Sequence, residues 1–133
     1  MVGAKMVDKI DTRMLLSSLW IVVMINMLKA DILSLFIPGV TEELVQFAGA
    51  TPIPQLMLGA AVIMEIAIVM IALALVLPYR VNRWANILVA VLMIAFVIGG
   101  GSTYPHYIFV ATVEVVCLLL IIGIAWRWSR PAA

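Results

Sequence analysis

Residues 105–128 read PHYIFVATVEVVCLLLIIGIAWRW, an apolar stretch in which Glu114 and Arg127 are the charged residues. About 20 such residues are enough for an α-helix to cross the hydrocarbon core of a bilayer, which is about 30 Å thick. Pro105 suits the first turn of a helix, where its missing N–H group is not needed. The stretch therefore predicts a transmembrane helix with one acidic residue inside the membrane.

Three other stretches of the chain have the same apolar character. The second of them stops at Pro78, and Asn82 is the predicted N-cap of the third. We expect residues 1–133 to form one all-α domain, an integral membrane four-helix bundle. The additional spans are predicted at about residues 14–35, 54–77 and 83–98.

The composition excludes several classes of protein. The chain has 133 residues, 66% hydrophobic and 11% charged, whereas soluble domains have roughly 45–50% apolar and about 25% charged residues. A net charge of +1 gives no reason to expect nucleic acid as a partner. The single cysteine excludes an intramolecular disulfide, and the single histidine excludes an all-histidine metal site. We expect neither a metal nor a cofactor.

The basic residues outside the spans predict how the bundle is inserted. The loops over residues 36–53 and 99–104 contain no lysine or arginine, whereas the termini and the remaining loop do. Basic residues favour the cytoplasmic side, so we expect both termini in the cytoplasm and the protein in a bacterial inner membrane. The residues that carry this prediction are Lys5, Lys9, Arg13, Arg80, Arg83, Arg127 and Arg130.

The first outer loop contains signals for a short helix. Thr41 suits an N-cap, and Glu42 and Glu43 would lie at the positive end of the helix. Val40 and Val45 have the spacing of a hydrophobic staple. We expect an interfacial helix that covers the outer mouth of the bundle; an ordered loop without a helix is the alternative.

Five polar residues within the spans are the candidates for a ligand or ion site, because ionisable groups in a membrane are costly and by default indicate function. Asp31 is expected about 5 Å below the outer boundary, Lys29 about 8 Å, Glu114 about 12 Å and Glu65 about 15 Å. Asn26 shares a helical stripe with Lys29. These depths predict a polar pocket that opens outward.

Charge pairing suggests how such a pocket would work. We expect Lys29 to pair inside the bundle with Glu65, Glu114 or both, and the two carboxylates to share a proton. Glu65 and Glu114 would then flank one cavity, as in parallel repeats, with Tyr107 on the Glu114 stripe as a helper. The site could bind a cation, couple a proton to transport or act as a general acid. Alternatively, the charges only lock the helices together.

A second polar group is predicted at the cytoplasmic end of the third span. Asn82 and Asn86 are four residues apart and share a helical face, and Arg83 would reach the level of the lipid phosphates. These residues could form an inner gate, a lipid site or a partner surface. The alternative is a capped helix anchored by Trp84.

Several strings along the chain carry a resemblance to a known family. They are ADILSL at 30–35 followed by Pro38-Gly39, NRWAN at 82–86, Val113-Glu114, and AWRW at 125–128. The chain resembles a family of small bacterial four-span membrane proteins catalogued as a domain of unknown function. It is more distantly similar to DoxX-like proteins, which are linked to membrane redox systems.

The same resemblance singles out certain residues as those that carry the likeness. Other members of the family often have tyrosine where this chain has Lys29. The positions to which the resemblance points are Asp31, Asn82, Arg83, Asn86 and Glu114.

Three function classes remain open from the sequence. The intramembrane carboxylates favour a protein that binds or transports a small solute or ion. An accessory or structural subunit, working as a homo-oligomer or with a membrane partner protein, is the second class, because four short spans enclose little volume. A membrane enzyme or a DoxX-like protein that handles lipid or quinone is the third, and the sequence leans against an enzyme.

Overall fold

The computed structural model describes residues 11–100 and 102–129, and within these ranges it contains five helices and no strand. Four of the helices are long and apolar enough to cross a membrane, which confirms the predicted all-α membrane bundle. Lys5, Lys9 and Arg130, which support the predicted orientation, lie outside the described residues. The helices are α1 (Thr12–Ser34), α2 (Val40–Ala48), α3 (Ile53–Val76), α4 (Tyr79–Gly99) and α5 (Pro105–Arg127).

The four long helices form a ring around one apolar core. α1 packs against both α3 and α5, and α4 packs against α5 and less extensively against α3. Proline stands in the first turn of α3 and of α5, as predicted for Pro105. Fully buried core side chains come from every long helix and include Leu16, Trp20, Ala67, Ala90, Met93, Leu118 and Ile121.

The two ends of the bundle differ in how closely the helices pack. The arginine end contains Arg13, Arg80, Arg83 and Arg127; the α2 end contains α2, the ends of α1 and α4, and the beginnings of α3 and α5. The buried residues of α3 are Ala67, Met70 and Ala74, in its half nearer the arginine end. α3 is therefore packed into the bundle near the arginine end and is less covered near the α2 end.

Two predicted helix caps are wrong. α4 begins at Tyr79 after Pro78, whose φ of −59° suits a helix start, so Asn82 lies inside the helix. The third span is therefore longer than predicted at its beginning. Gly39, with a φ of 89°, is the N-cap of α2 in place of Thr41. A left-handed φ favours glycine, and the turn before α2 uses this property.

Candidate functional site

The side chains of Asn82 and Asn86 form a fully buried network at the arginine end. Asn86 Nδ2 donates to Asn82 Oδ1 at 2.6 Å, and Trp20 Nε1 donates to Asn86 Oδ1 at 2.8 Å. Asn82 Nδ2 donates to the carbonyl oxygen of Ala74 at 2.8 Å, near the end of α3. The network joins α1, α3 and α4, and its amides are occupied inside the bundle.

Arg83 holds the end of α5. Its Nε donates to the carbonyl oxygen of Ala125 at 3.0 Å, and its Nη2 donates to that of Trp126 at 2.8 Å. The last carbonyls of a helix lack their usual partners four residues on. The guanidinium supplies a donor to the Trp126 carbonyl and a second donor to the Ala125 carbonyl, which also accepts from the Trp128 backbone N–H. The guanidinium carbon also lies 5.8 Å from the centre of the Trp84 ring. Arg83 therefore caps a neighbouring helix.

Further contacts close the arginine end. Ser17 Oγ donates to the carbonyl oxygen of Ile71 at 2.7 Å and joins α1 to α3. The Tyr79 hydroxyl donates to the carbonyl oxygen of Trp128 at 2.5 Å, and the two rings meet edge to face. Most polar groups here have partners, so the geometry of Asn82, Arg83 and Asn86 supports the capped and anchored alternative over a lipid site or partner surface.

Glu114, in contrast to the hydrogen-bonded polar groups at the arginine end, is buried without a partner for one of its oxygen atoms. Its side chain is 3% exposed, on the buried face of α5 that also contains Val110, Cys117 and Leu118. Its Oε1 atom is buried without a hydrogen-bond partner. Burial of an unpaired carboxyl group is costly because neither water nor protein replaces its lost hydration. A polar group in this condition requires an explanation.

Asp31 and Tyr107 lie at the α2 end of the two helices that pack most extensively against each other. Asp31 is in the last turn of α1, and Tyr107 is in the first turn of α5, two turns before Glu114. Asp31 shares a helical stripe with the buried residues Met24 and Met27, but its own side chain is exposed. Of the two acidic residues, Glu114 is therefore buried and Asp31 is exposed.

The predicted pairing of Lys29 is not formed. Lys29 is exposed, on the side of α1 away from its buried residues, and among the described residues it makes no hydrogen bond to Glu65 or Glu114. Glu65 is exposed as well, at the edge of a surface groove between α3 and α4. The two glutamates therefore do not flank one cavity. Asn26 is half-buried, and its Nδ2 donates to the carbonyl oxygen of Val22 in its own helix.

Hydrogen bonds at the α2 end hold the mouth of the bundle in place. The Tyr107 hydroxyl donates to the carbonyl oxygen of Val97 at 2.8 Å, at the end of α4. Ser34 Oγ lies 2.9 Å from His106 Nε2 and donates to the carbonyl oxygen of Ala30. A hydroxyl has one hydrogen, so His106 Nε2 is the donor to Ser34. These bonds connect α5 to α1 and to α4 at the α2 end.

The α2 helix is tied to the rest of the bundle by Tyr104. Its hydroxyl donates to Glu43 Oε1 at 2.6 Å. This hydrogen bond, burial and the charge of Glu43 together raise the pKa of the Tyr104 phenol above its ordinary value. The acidic residues predicted for the first turn of α2 are present there, and one of them is the acceptor of this bond.

Sequence reasoning missed Trp20, which completes the asparagine network. The available signal was its position: Trp20 lies about 12 Å from the start of α1, deeper than the interfacial belts where tryptophan is common. An indole N–H buried at that depth requires an acceptor. The asparagine pair on α4 was the obvious source.

Comparison with known protein families gives a match over nearly the whole chain. The family of unknown function DUF6326 matches residues 5–133. Neither a curated protein nor a solved structure matches the chain. The resemblance to a domain-of-unknown-function family is confirmed, whereas the more distant similarity to DoxX-like proteins stays a prediction. Because the match covers nearly the whole chain, the protein belongs to the DUF6326 family.

Proposed function

We propose that the protein binds a small monovalent cation at Glu114 and Asp31, in exchange with protons, and that this exchange serves transport. The observation that carries the proposal is the buried Oε1 of Glu114, which has no partner. Asp31 is a second acidic residue, at the α2 end of the neighbouring helix α1. A buried carboxyl group favours occupation by a proton or a cation, since either neutralises the charge that burial disfavours.

The donor set favours a monovalent ion or an organic ammonium over a divalent metal. Among residues 11–100 and 102–129 no group of three or more potential metal ligands occurs. Two carboxyl groups and the Tyr107 phenol supply oxygen atoms but fall short of the six or more that calcium takes. An ammonium group needs only a few acceptors within hydrogen-bond range.

We propose that the cation enters from the α2 end, where α3 is less covered. Asp31 is exposed at the mouth, and Glu114 lies about 14 Å along α5 from Pro105. We propose that a cation first meets Asp31 and then Glu114. With the basic residues of the arginine end in the cytoplasm, the site would face outward, and that end would have to move for release to the inside.

Proteoliposomes with a trapped pH-sensitive dye test the proposal. Gradients of Na⁺, K⁺ or tetramethylammonium are imposed in turn, and proton movement is recorded. We expect one of these gradients to drive proton movement in the wild-type protein, and Glu114→Gln to abolish it. Asp31→Asn should slow proton movement, since the mouth then no longer attracts the cation.

Glu42→Gln is the matched control, because it removes an exposed acidic residue at the same end of the bundle and should exchange like the wild type. Proton movement no greater than in protein-free vesicles would contradict the proposal, as would full exchange by Glu114→Gln.

A further inference from the structure

Glu65 is an acidic residue in the middle of the membrane that faces away from its own bundle. It lies about 18 Å from the beginning of α3 and about 16 Å from its end. Its side chain is exposed, so in a single copy it would contact lipid tails. That depth is too great for the short glutamate side chain to reach water, and a carboxyl group there needs a hydrogen-bond partner.

The helix that carries Glu65 is also the least covered of the four spans. Only 17% of its most apolar stretch is buried, compared with 28–39% for the other three. Its outer face has a regular spacing of three and four residues, the spacing of a seam between two helices. The seam residues of α3 are Leu58, Val62, Glu65, Val69, Ala72 and Val76.

From these observations we infer that α3 is the interface between two copies of this chain, with the two Glu65 carboxyl groups hydrogen-bonded to each other across a two-fold axis. Copies inserted in the same direction place α3 parallel to α3. Glu65 then meets its equivalent at the same depth, as a two-fold axis requires. When one of the two carboxyl groups is protonated, it donates a hydrogen bond to the other. Glu65 of one copy is then the donor, and Glu65 of the other copy is the acceptor.

Other features of the chain favour a second copy over a different partner. Glu65 is the one polar side chain of the seam. A partner helix must therefore be apolar and must offer a hydrogen-bonding group at the depth of Glu65, and a second α3 meets both requirements. Lys29 of a neighbouring copy would lie about 8 Å from the end of α1 at the α2 end, well above Glu65. Ala72, on the seam about two turns from Glu65, permits close approach of the two helices.

Disulfide mapping in native-like membranes tests the interface. Cys117, which is buried in α5, is first replaced by serine. Single cysteines are then placed on the seam (Val62→Cys, Val69→Cys, Ala72→Cys) and, as controls, at the exposed positions Leu88 of α4 and Leu119 of α5. We expect oxidation to cross-link the seam positions and to leave the controls uncross-linked.

Association measured by fluorescence energy transfer between labelled copies in liposomes gives a second test. Glu65→Leu should weaken dimerisation about tenfold, within the range for interhelical hydrogen bonds between model peptides in membranes. Glu65→Gln should stay within about threefold of wild type, because an amide also donates and accepts. Glu65 is exposed and makes no hydrogen bond within the described part of the chain, so its replacement is not expected to unfold the bundle. The cysteine variants retain Glu65, so they test the interface independently.

Several results would overturn the inference. One is cross-linking at the Leu88 or Leu119 position but not on the seam, and another is a monomer that cross-links at no position. A Glu65→Leu variant that dimerises as strongly as the wild type would also overturn it. A seam occupied by another protein, seen as hetero-cross-links alone, would overturn it as well. None of these results bears on cation exchange at Glu114, which the vesicle assay measures separately.

Discussion

Asn86 and Glu114 are both buried polar residues of spanning helices, yet they differ in the partners they have. Asn86 lies about 10 Å from the start of α4, and Glu114 lies about 14 Å from the start of α5. Asn86 uses both its amide nitrogen and its amide oxygen within the bundle, whereas Oε1 of Glu114 has no partner. Burial alone therefore does not distinguish a structural group from a functional one; the number of partners does.

Replacement of Asn86 by leucine should have the largest effect on stability. The change leaves Trp20 Nε1 and Asn82 Oδ1 buried without their partner. Each orphaned buried group costs about 1–3 kcal/mol, so we expect the free energy of unfolding to fall by about 3 kcal/mol. Unfolding in mixed micelles with increasing SDS measures it. Stability equal to wild type would show that the network contributes little.

Replacement of Glu114 by leucine should have a smaller effect of the opposite sign. No hydrogen bond to Oε1 is lost, and the cost of burying an unpaired carboxyl group is removed. We expect the bundle to be unchanged or more stable by about 1 kcal/mol, with cation exchange lost. Such a gain in stability at the expense of activity is common at functional sites.

The same SDS titration measures the Glu114→Leu variant, with Glu42→Leu as the control for loss of an exposed acidic residue. A loss of stability as large as that of Asn86→Leu would mean that Glu114 holds the bundle together, and the comparison between the two residues would fail.

Some features of the fold were readable from the sequence because each has a local cause. Four apolar stretches of spanning length give four spans, and prolines fix where α3 and α5 begin. The Asn82 and Asn86 pair was expected on one helical face from its spacing of four, and the amides do meet. Pro78 moved the start of α4 earlier than the asparagine signal indicated, because a preset φ acts without a side-chain cap.

Whether each acidic residue faces the core or the lipid could not be predicted from the sequence, for a reason specific to membranes. In a soluble bundle the outer face is polar, so the period of hydrophobic residues identifies the buried side. Here lipid tails cover the outer face, which is as apolar as the core. Glu65 and Glu114 therefore have similar sequence surroundings, although one faces outward and the other faces inward. The predicted Lys29 pair was wrong for the same reason.

The smallest predicted effect concerns the hydrogen bond between Tyr104 and Glu43. This bond is a case of a partnered polar group at the α2 end, the same end as Asp31. Glu43 accepts the phenol hydrogen bond, and its charge opposes formation of a phenolate, so the Tyr104 pKa lies above its ordinary value of about 10. Because the folded pKa is raised, the contribution of this bond to α2 docking is fully present below pH 10 and is lost as pH rises through the Tyr104 pKa.

Absorbance titration of the phenolate, with Tyr104→Phe to identify the signal, measures the Tyr104 pKa. Glu43→Gln should lower it, because an amide accepts the bond without a negative charge. Glu42→Gln, which alters the neighbouring acidic residue but leaves the bond in place, should change it much less. Equal shifts in the two variants would mean that the general negative charge of α2 acts on Tyr104. In that case the 2.6 Å bond to Glu43 would not be what ties α2 to the beginning of α5.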